Sequence, residues 1–188
     1  KVELYIPPRK GRKHVLRLIR ELLAFEPKNH GTDLKLALDT INQILKRRSI
    51  LFLVSDFYDD AEQYRQPLFM ANRKHDVIAV DLHDPLETQI PDVGVLTVED
   101  AETGEQLYVD TGHPEFRRRF LEAAERREAT LKADLERAGV DLFSMSTEED
   151  LVRAILRMAA FTIERLFSWR DHVSDRPIHV RIDEIELT

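Results

Sequence analysis

Apolar residues recur along this chain with two different spacings. Val15, Leu18, Ile19, Leu22 and Leu23 follow Gly11 at steps of three and four, the period of an amphipathic helix, and Pro27 closes the segment. After Gly31 the same period returns in Leu34, Ala37, Leu38, Ile41, Ile44 and Leu45. Lys46, Arg47 and Arg48 stand near the end of that stripe, where cations suit the helix dipole. A third helix is predicted over Ala61 to Arg73, and a long charged one over Pro114 to Ala138, ended by Gly139. Ser146 with Glu149 supplies a capping-box pattern ahead of a fifth, which carries Leu151, Ile155, Ala159, Ile163 and Leu166.

Between these helices lie shorter runs. Ile50 to Val54 is continuously apolar and is closed by Ser55 and Asp56, as expected of a parallel strand buried on both faces; Val77 to Val80 repeats the pattern. Strand, helix and strand in that order imply a right-handed crossover, and so an α/β class with a mainly parallel, Rossmann-like sheet and helices on both faces. Val2 to Ile6 alternates until Pro7 and Pro8 stop it, which reads as an edge strand. Val95 to Val98 and Gln106 to Val109, separated by Glu102-Thr103-Gly104-Glu105, predict a hairpin beside the main sheet. Val140 to Met145 offers one more strand. Past Pro177, Ile178, Val180 and Ile182 alternate with His179, Arg181 and Asp183, a pattern that suits a sheet edge and not its centre. The expected division is a main domain over 1–170 and an extension over 171–188.

Composition narrows the function. With 43% hydrophobic residues in 188, a single well-buried core is affordable. The 35 acidic and 28 basic side chains leave a formal charge of -7, the wrong sign for a general nucleic-acid binder. Cysteine is absent, which removes disulfides, thiol nucleophiles and cysteine zinc sites and fits a cytoplasmic setting. No stretch approaches the roughly 18 apolar residues of a bilayer span, so no membrane contact is expected.

Open parallel sheets bind ligands beyond the carboxyl ends of their strands. Two segments fall there: Asn29-His30-Gly31-Thr32-Asp33 and Ser55-Asp56-Phe57. A hydroxyl and carboxylates from such loops are hard oxygen ligands suited to Mg2+ or Mn2+. The plainer alternatives are that Thr32 is an N-cap and Asp56 a turn residue at the strand end. His30, His75 and His83 form no paired metal motif and are assigned no metal. Asp84 and Glu87 read as a turn. Arg9, Lys10, Arg12 and Lys13, like the charges from Arg117 to Arg127, read as solvated helical surface, and Trp169 as a packing residue.

Several blocks in order resemble a bacterial family. They are Val2 to Arg12, Gly31-Thr32-Asp33-Leu34, Ser55-Asp56-Phe57, His75 to Val80, Asp84-Pro85-Leu86-Glu87, Pro91-Asp92-Val93-Gly94 and Asp100 to Glu105. Together, over about residues 2 to 157, they resemble the von Willebrand factor A (vWA)-like group associated with MoxR-type AAA ATPases. That resemblance implies a metal-ion-dependent adhesion site built from a DxSxS loop, a threonine and an aspartate, the last two matched by Thr32 and Asp56. No DxSxS occurs in this sequence. The family places it upstream of the block that begins at Lys1, so N-terminal strands are expected to be missing and any metal binding by this chain alone to be weak.

The function expected from the resemblance is a metal-assisted protein-interaction module, not an enzyme, with a MoxR-type AAA ATPase as partner in the assembly or maturation of protein complexes. The alternative is a hydrolytic or phosphoryl-transfer enzyme using Asp56. That alternative lacks a phosphate loop, a nucleophile elbow and a second aspartate two positions on, where Tyr58 stands.

Overall fold

A computed structural model describes residues 2–28, 31–99 and 104–170, the side chains of 166–170 excepted. Its centre is a parallel sheet of three strands, β1 (Ile50–Ser55), β2 (Asp76–His83) and β5 (Asp141–Ser146), in the order β1-β2-β5. Leu51 lies opposite Val77, Leu53 opposite Ala79, and Ala79 opposite Leu142, so these residues share one face. Helices α2 (Leu34–Ile44), α3 (Ala61–Lys74) and α4 (Pro114–Ala138) bury their apolar stripes on that face. Leu38, Leu68 and Leu135 are each 1% exposed. Full burial of such a side chain contributes about 1.5–3 kcal/mol, so three of them are a large part of what holds the layers together.

This is an α/β fold with a Rossmann-like parallel core. Two further strands, β3 (Val95–Glu99) and β4 (Gln106–Asp110), form the expected antiparallel hairpin as a separate sheet. The chain divides into two compact units, Lys1–Glu148 and Glu149–Thr188. The second is described only through α5 (Leu151–Arg170), and the extension expected over 171–188 lies outside the described residues.

Local chemistry explains the ends of the elements. Pro114 opens α4, where its missing N–H costs nothing. Gly139 closes it at φ 67°, a left-handed conformation that favours glycine. Asn72 then ties three elements together: its Nδ2 donates to the carbonyls of Ala138 (3.2 Å) and Gly139 (2.6 Å), and its Oδ1 accepts from Val77 N at 3.2 Å. α3 runs through Pro67, whose carbonyl accepts from Asn42 Nδ2 at 3.2 Å.

Four local readings are corrected. Val2 to Ile6 belongs to no strand, because alternation alone does not make a sheet without a neighbouring edge to pair with. β1 is not buried on both faces: it is an edge strand of the described sheet, and Ile50, Phe52 and Val54 are 37%, 44% and 60% exposed, whereas Val77 to Val80 of the central strand are all buried. α2 stops at Ile44, so Lys46, Arg47 and Arg48 lie beyond its last turn. The cap of α5 is Asp150, whose Oδ1 accepts from Arg153 N at 2.8 Å, while Ser146 Oγ accepts from Glu148 N. A carboxylate one residue before the first turn outcompetes a hydroxyl further back. Helix α1 (Arg12–Ala24) forms as its period predicts, with none of its residues buried.

His75, at the junction of α3 and β2, is 2% exposed and neither ring nitrogen has a partner among the described residues. Burial, with Lys74 and Arg48 nearby, pushes its pKa below the ordinary 6.5. As pH falls through 6.5 the unfolded chain gains a proton that the folded chain refuses, so this residue lowers stability in acid and is silent above. His75→Leu should therefore match or exceed the parent in urea denaturation at neutral pH and gain an increasing advantage as the solution is acidified. Parallel stability curves for the two proteins would show that the imidazole is not buried in its neutral form.

Candidate functional site

At the carboxyl end of β1 the chain turns sharply. Phe57 adopts φ 53°, a left-handed conformation that costs a bulky residue about 1–2 kcal/mol. Its ring is 5% exposed in the core and lies 6.4 Å from that of Tyr64, a burial that offsets the cost. With Phe57 turned inward, Asp56 is left exposed. Its Oδ1 accepts from Tyr58 N at 3.2 Å and from Ser55 Oγ at 3.4 Å, and Ser55 Oγ accepts from Phe57 N at 3.0 Å. The turn reading of Asp56 is thus correct for one carboxylate oxygen. Oδ2 makes no bond among the described residues.

Thr32 is not the cap of α2. Asp33 is, accepting from Leu36 N at 2.8 Å, and this leaves the Thr32 hydroxyl exposed with no bond among the described residues. The loop that carries Thr32 is joined to the loop after β1 through Leu34 N, which donates to Asp59 Oδ2 at 2.8 Å. Thr32 lies two residues from one end of that bond and Asp56 three from the other. The structure brings the two segments together at one edge, where an α/β sheet is expected to bind.

A residue that sequence reasoning treated as solvated surface organises this edge. Arg127 of α4 stacks over the Tyr58 ring at 3.8 Å, donates to the Asp56 carbonyl at 3.0 Å, and meets Glu87 Oε2 at 3.2 Å. Tyr58 Oη donates to the same Glu87 oxygen at 3.2 Å, while Glu87 Oε1 accepts from Asp84 N at 3.0 Å. Asp84 Oδ2 in turn accepts from Thr147 Oγ1 at 2.9 Å, beyond β5. The loops after β1, β2 and β5 are in this way laced to one another and to α4. Asp84 and Glu87 form the expected turn, as a capping box around Pro85–Glu87.

Behind this edge Asp81 is 8% exposed, and its Oδ1 has no partner among the described residues. Burial raises its pKa, and His83, whose Nδ1 stands 3.5 Å from Asp81 Oδ2, works against that rise. Ser144 Oγ is 3.3 Å from the same ring nitrogen. His30 lies outside the described residues, as does the Trp169 side chain. Arg9, Lys10, Arg12 and Lys13 are exposed at the start of α1.

Among the described residues no group of three or more His, Asp or Glu side chains could hold a metal ion. Asp56 Oδ2 and Thr32 Oγ1 are hard donors, but they are two, and a divalent cation of this class takes six or more oxygens. Two such donors do not make a closed cation site. No helix among the described residues is long and apolar enough to cross a membrane.

Fold and site together define an α/β protein with its candidate binding edge at the carboxyl ends of parallel strands. Residues 1–130 match a family described as "Protein of unknown function DUF58", and the chain belongs to it. The uncharacterized protein Rv1480 of Mycobacterium tuberculosis is 30% identical over 159 residues, 82% of this chain and 49% of its own length. The uncharacterized protein MAV169 of Mycobacterium avium is 27% identical over 156 residues, 81% of this chain and 90% of its own. The chain thus spans about half the length of the first of these relatives. No solved structure gives a significant match.

Arg127→Met keeps the length of the side chain and removes its charge and plane. It should cost about 1 kcal/mol of stability, the scale of a partly buried charged hydrogen-bonded contact. Amide hydrogen exchange should accelerate at Tyr58 and Leu86 and stay unchanged at Leu68 in α3. Unchanged exchange at Tyr58 would show that the loops hold without the arginine.

Proposed function

We propose that this chain is the later part of a vWA-like, metal-assisted protein-binding module. The observation that carries the reading is the exposed pair Asp56 and Thr32, each with an oxygen unengaged among the described residues, on two segments joined through Asp59 and Leu34. Mg2+ or Mn2+ would be held there by Asp56 Oδ2 and Thr32 Oγ1, with its remaining oxygens from water, from a DxSxS loop outside this sequence and from a partner's carboxylate. The cation supplies a bridge between two acidic groups that would otherwise repel. Asp56 and Thr32 orient it, and the lacing by Arg127 keeps Asp56 where it can do so.

The partner in this reading is a MoxR-type AAA ATPase, and the wider role is assembly or maturation of protein complexes in the cytoplasm. It rests on the family resemblance and on the location of the site. A noncatalytic role is supported by what surrounds Asp56. The position two residues on, where a phosphoryl-transfer site would want a second carboxylate, is Tyr58, occupied with Arg127 and Glu87.

Isothermal calorimetry with MnCl2 tests the assignment. This chain should bind manganese weakly, and Asp56→Ala should remove that binding. Tight, stoichiometric binding that Asp56→Ala leaves intact would overturn both the ligand assignment and the incomplete-cage argument. In the same preparations, magnesium-dependent phosphatase activity above an Asp56→Asn control would overturn the noncatalytic reading.

A further inference from the structure

Beside Asp56 lies an open pocket of about 300 Å³ between the first turns of α3 and the later turns of α4. Its apolar lining includes Phe57, Ala61 and Leu131. Two polar side chains that line it are more than nine-tenths buried: Tyr64 at 2% exposure and Asp134 at 5%. The Tyr64 hydroxyl makes no hydrogen bond among the described residues. Asp134 is met by Arg65 and Arg137, both at 2.9 Å, but both bond the same oxygen, Oδ1. Oδ2 is left without a bond among the described residues. Neither atom is engaged among the described residues, so a polar group that enters between α3 and α4 can bond to them.

The mouth has a different character. Arg126 is exposed there and pairs with no described residue, and Arg127 and Tyr58 are stacked beside it. Asp59 and Asp134 also line the pocket, so a visitor's carboxylate is placed at the exposed Arg126 guanidinium, which has no partner among the described residues. We infer that this pocket receives a tryptophan or tyrosine side chain from a partner segment in which an acidic residue adjoins the aromatic one. The ring fills the apolar part, its N–H or O–H reaches Asp134 Oδ2 and Tyr64 Oη, and the neighbouring carboxylate meets Arg126. Aromatic side chains with a polar tip are the usual anchors of protein interfaces because they bring large apolar area and one directed hydrogen bond. Burial pushes the Tyr64 pKa up to about 12, so its hydroxyl stays protonated and can donate as well as accept. The inference rests on the reading of this edge as a protein-binding face. It does not require the cation.

The experiment uses the whole chain with N-acetyl-Glu-Trp-amide and N-acetyl-Glu-Leu-amide as probes, read by amide NMR shifts with chelator present. The tryptophan probe should bind in the millimolar range and shift Tyr58, Thr130 and Leu131. Tyr64→Phe should weaken it about fivefold, the worth of one hydrogen bond, and leave the leucine probe unchanged. Arg126→Glu, at an exposed position where folding is not at risk, should weaken both probes. The proposal falls if the tryptophan probe shifts none of these amides, or if Tyr64→Phe weakens both probes alike. Repeating the titration with MgCl2 and with Asp56→Ala separates the two readings. Probe binding that survives chelator and Asp56→Ala supports the pocket whatever becomes of the metal, and binding seen only with magnesium and intact Asp56 overturns the pocket while keeping the metal.

Discussion

The ring of Phe57 enters the core at the point where β1 leaves the sheet, and it does so from a left-handed backbone position. The geometry around Asp56 follows from that insertion. A residue of ordinary φ there would let the chain continue outward, and the aromatic ring would be lost to solvent. With the ring held in, Asp56 turns out, Tyr58 lands beneath Arg127, and Asp59 comes within reach of the first turn of α2. One buried side chain thus converts a strand end into a platform on which a carboxylate is presented. A conformation that costs a bulky residue 1–2 kcal/mol persists only where the surrounding packing over-determines it, and such positions concentrate at functional sites.

The second constraint is the lacing. β1, β2 and β5 are parallel, so their carboxyl ends emerge at one edge, and loops there would move independently if each were held only by its own strand. Arg127 suits the joining role because its plane can stack on Tyr58 while its nitrogens reach a carbonyl and a carboxylate in different directions. Lysine, a point charge without a plane, could satisfy one of these contacts at a time. The helix that carries Arg127 is anchored by Leu131 and Leu135 in the core, so the latch is rigid at its base.

Much of the architecture was legible in the sequence because it depends on local periodicity. The long helix is bracketed by Pro114 and Gly139, the hairpin by its turn, and the central strand by an unbroken apolar run, each of them short-range signals. The candidate site residues were legible as a pair of loops for the same reason, since both flank a secondary element. The contacts that hold the loop after β1 were not. Arg127 lies 71 residues from Asp56 and sits in a charged helix where nothing distinguishes it from Arg126 or Arg119 by pattern. Thr32 and Asp33 are adjacent cap candidates, and only the direction in which the chain enters α2 decides between them. Ser146 and Asp150 pose the same problem at α5. The failure at Val2 to Ile6 and the half-exposure of β1 have one cause: alternation and apolarity state what a strand can bury, whereas its burial is set by which neighbours are present.

That last point bears on what the chain presents outward. Ile50, Phe52 and Val54 form an apolar row on an edge strand that carries no charge, proline or bulge, which are the usual means by which proteins protect such edges. α1 shows Val15, Leu16, Ile19, Leu22 and Leu23 in the same unburied state. Both are apolar surfaces left exposed among the described residues. The contrast with the opposite layer is instructive. Where α2, α3 and α4 meet the sheet, the same residue types are buried to within a few per cent, so the sequence is able to fill a core when the partner surface is at hand. The edge that carries Asp56 rests on the filled layer, through Phe57, Leu131 and Leu135, and this is why Asp56, Tyr58 and Arg127 are held in place although β1 pairs on one side only among the described residues.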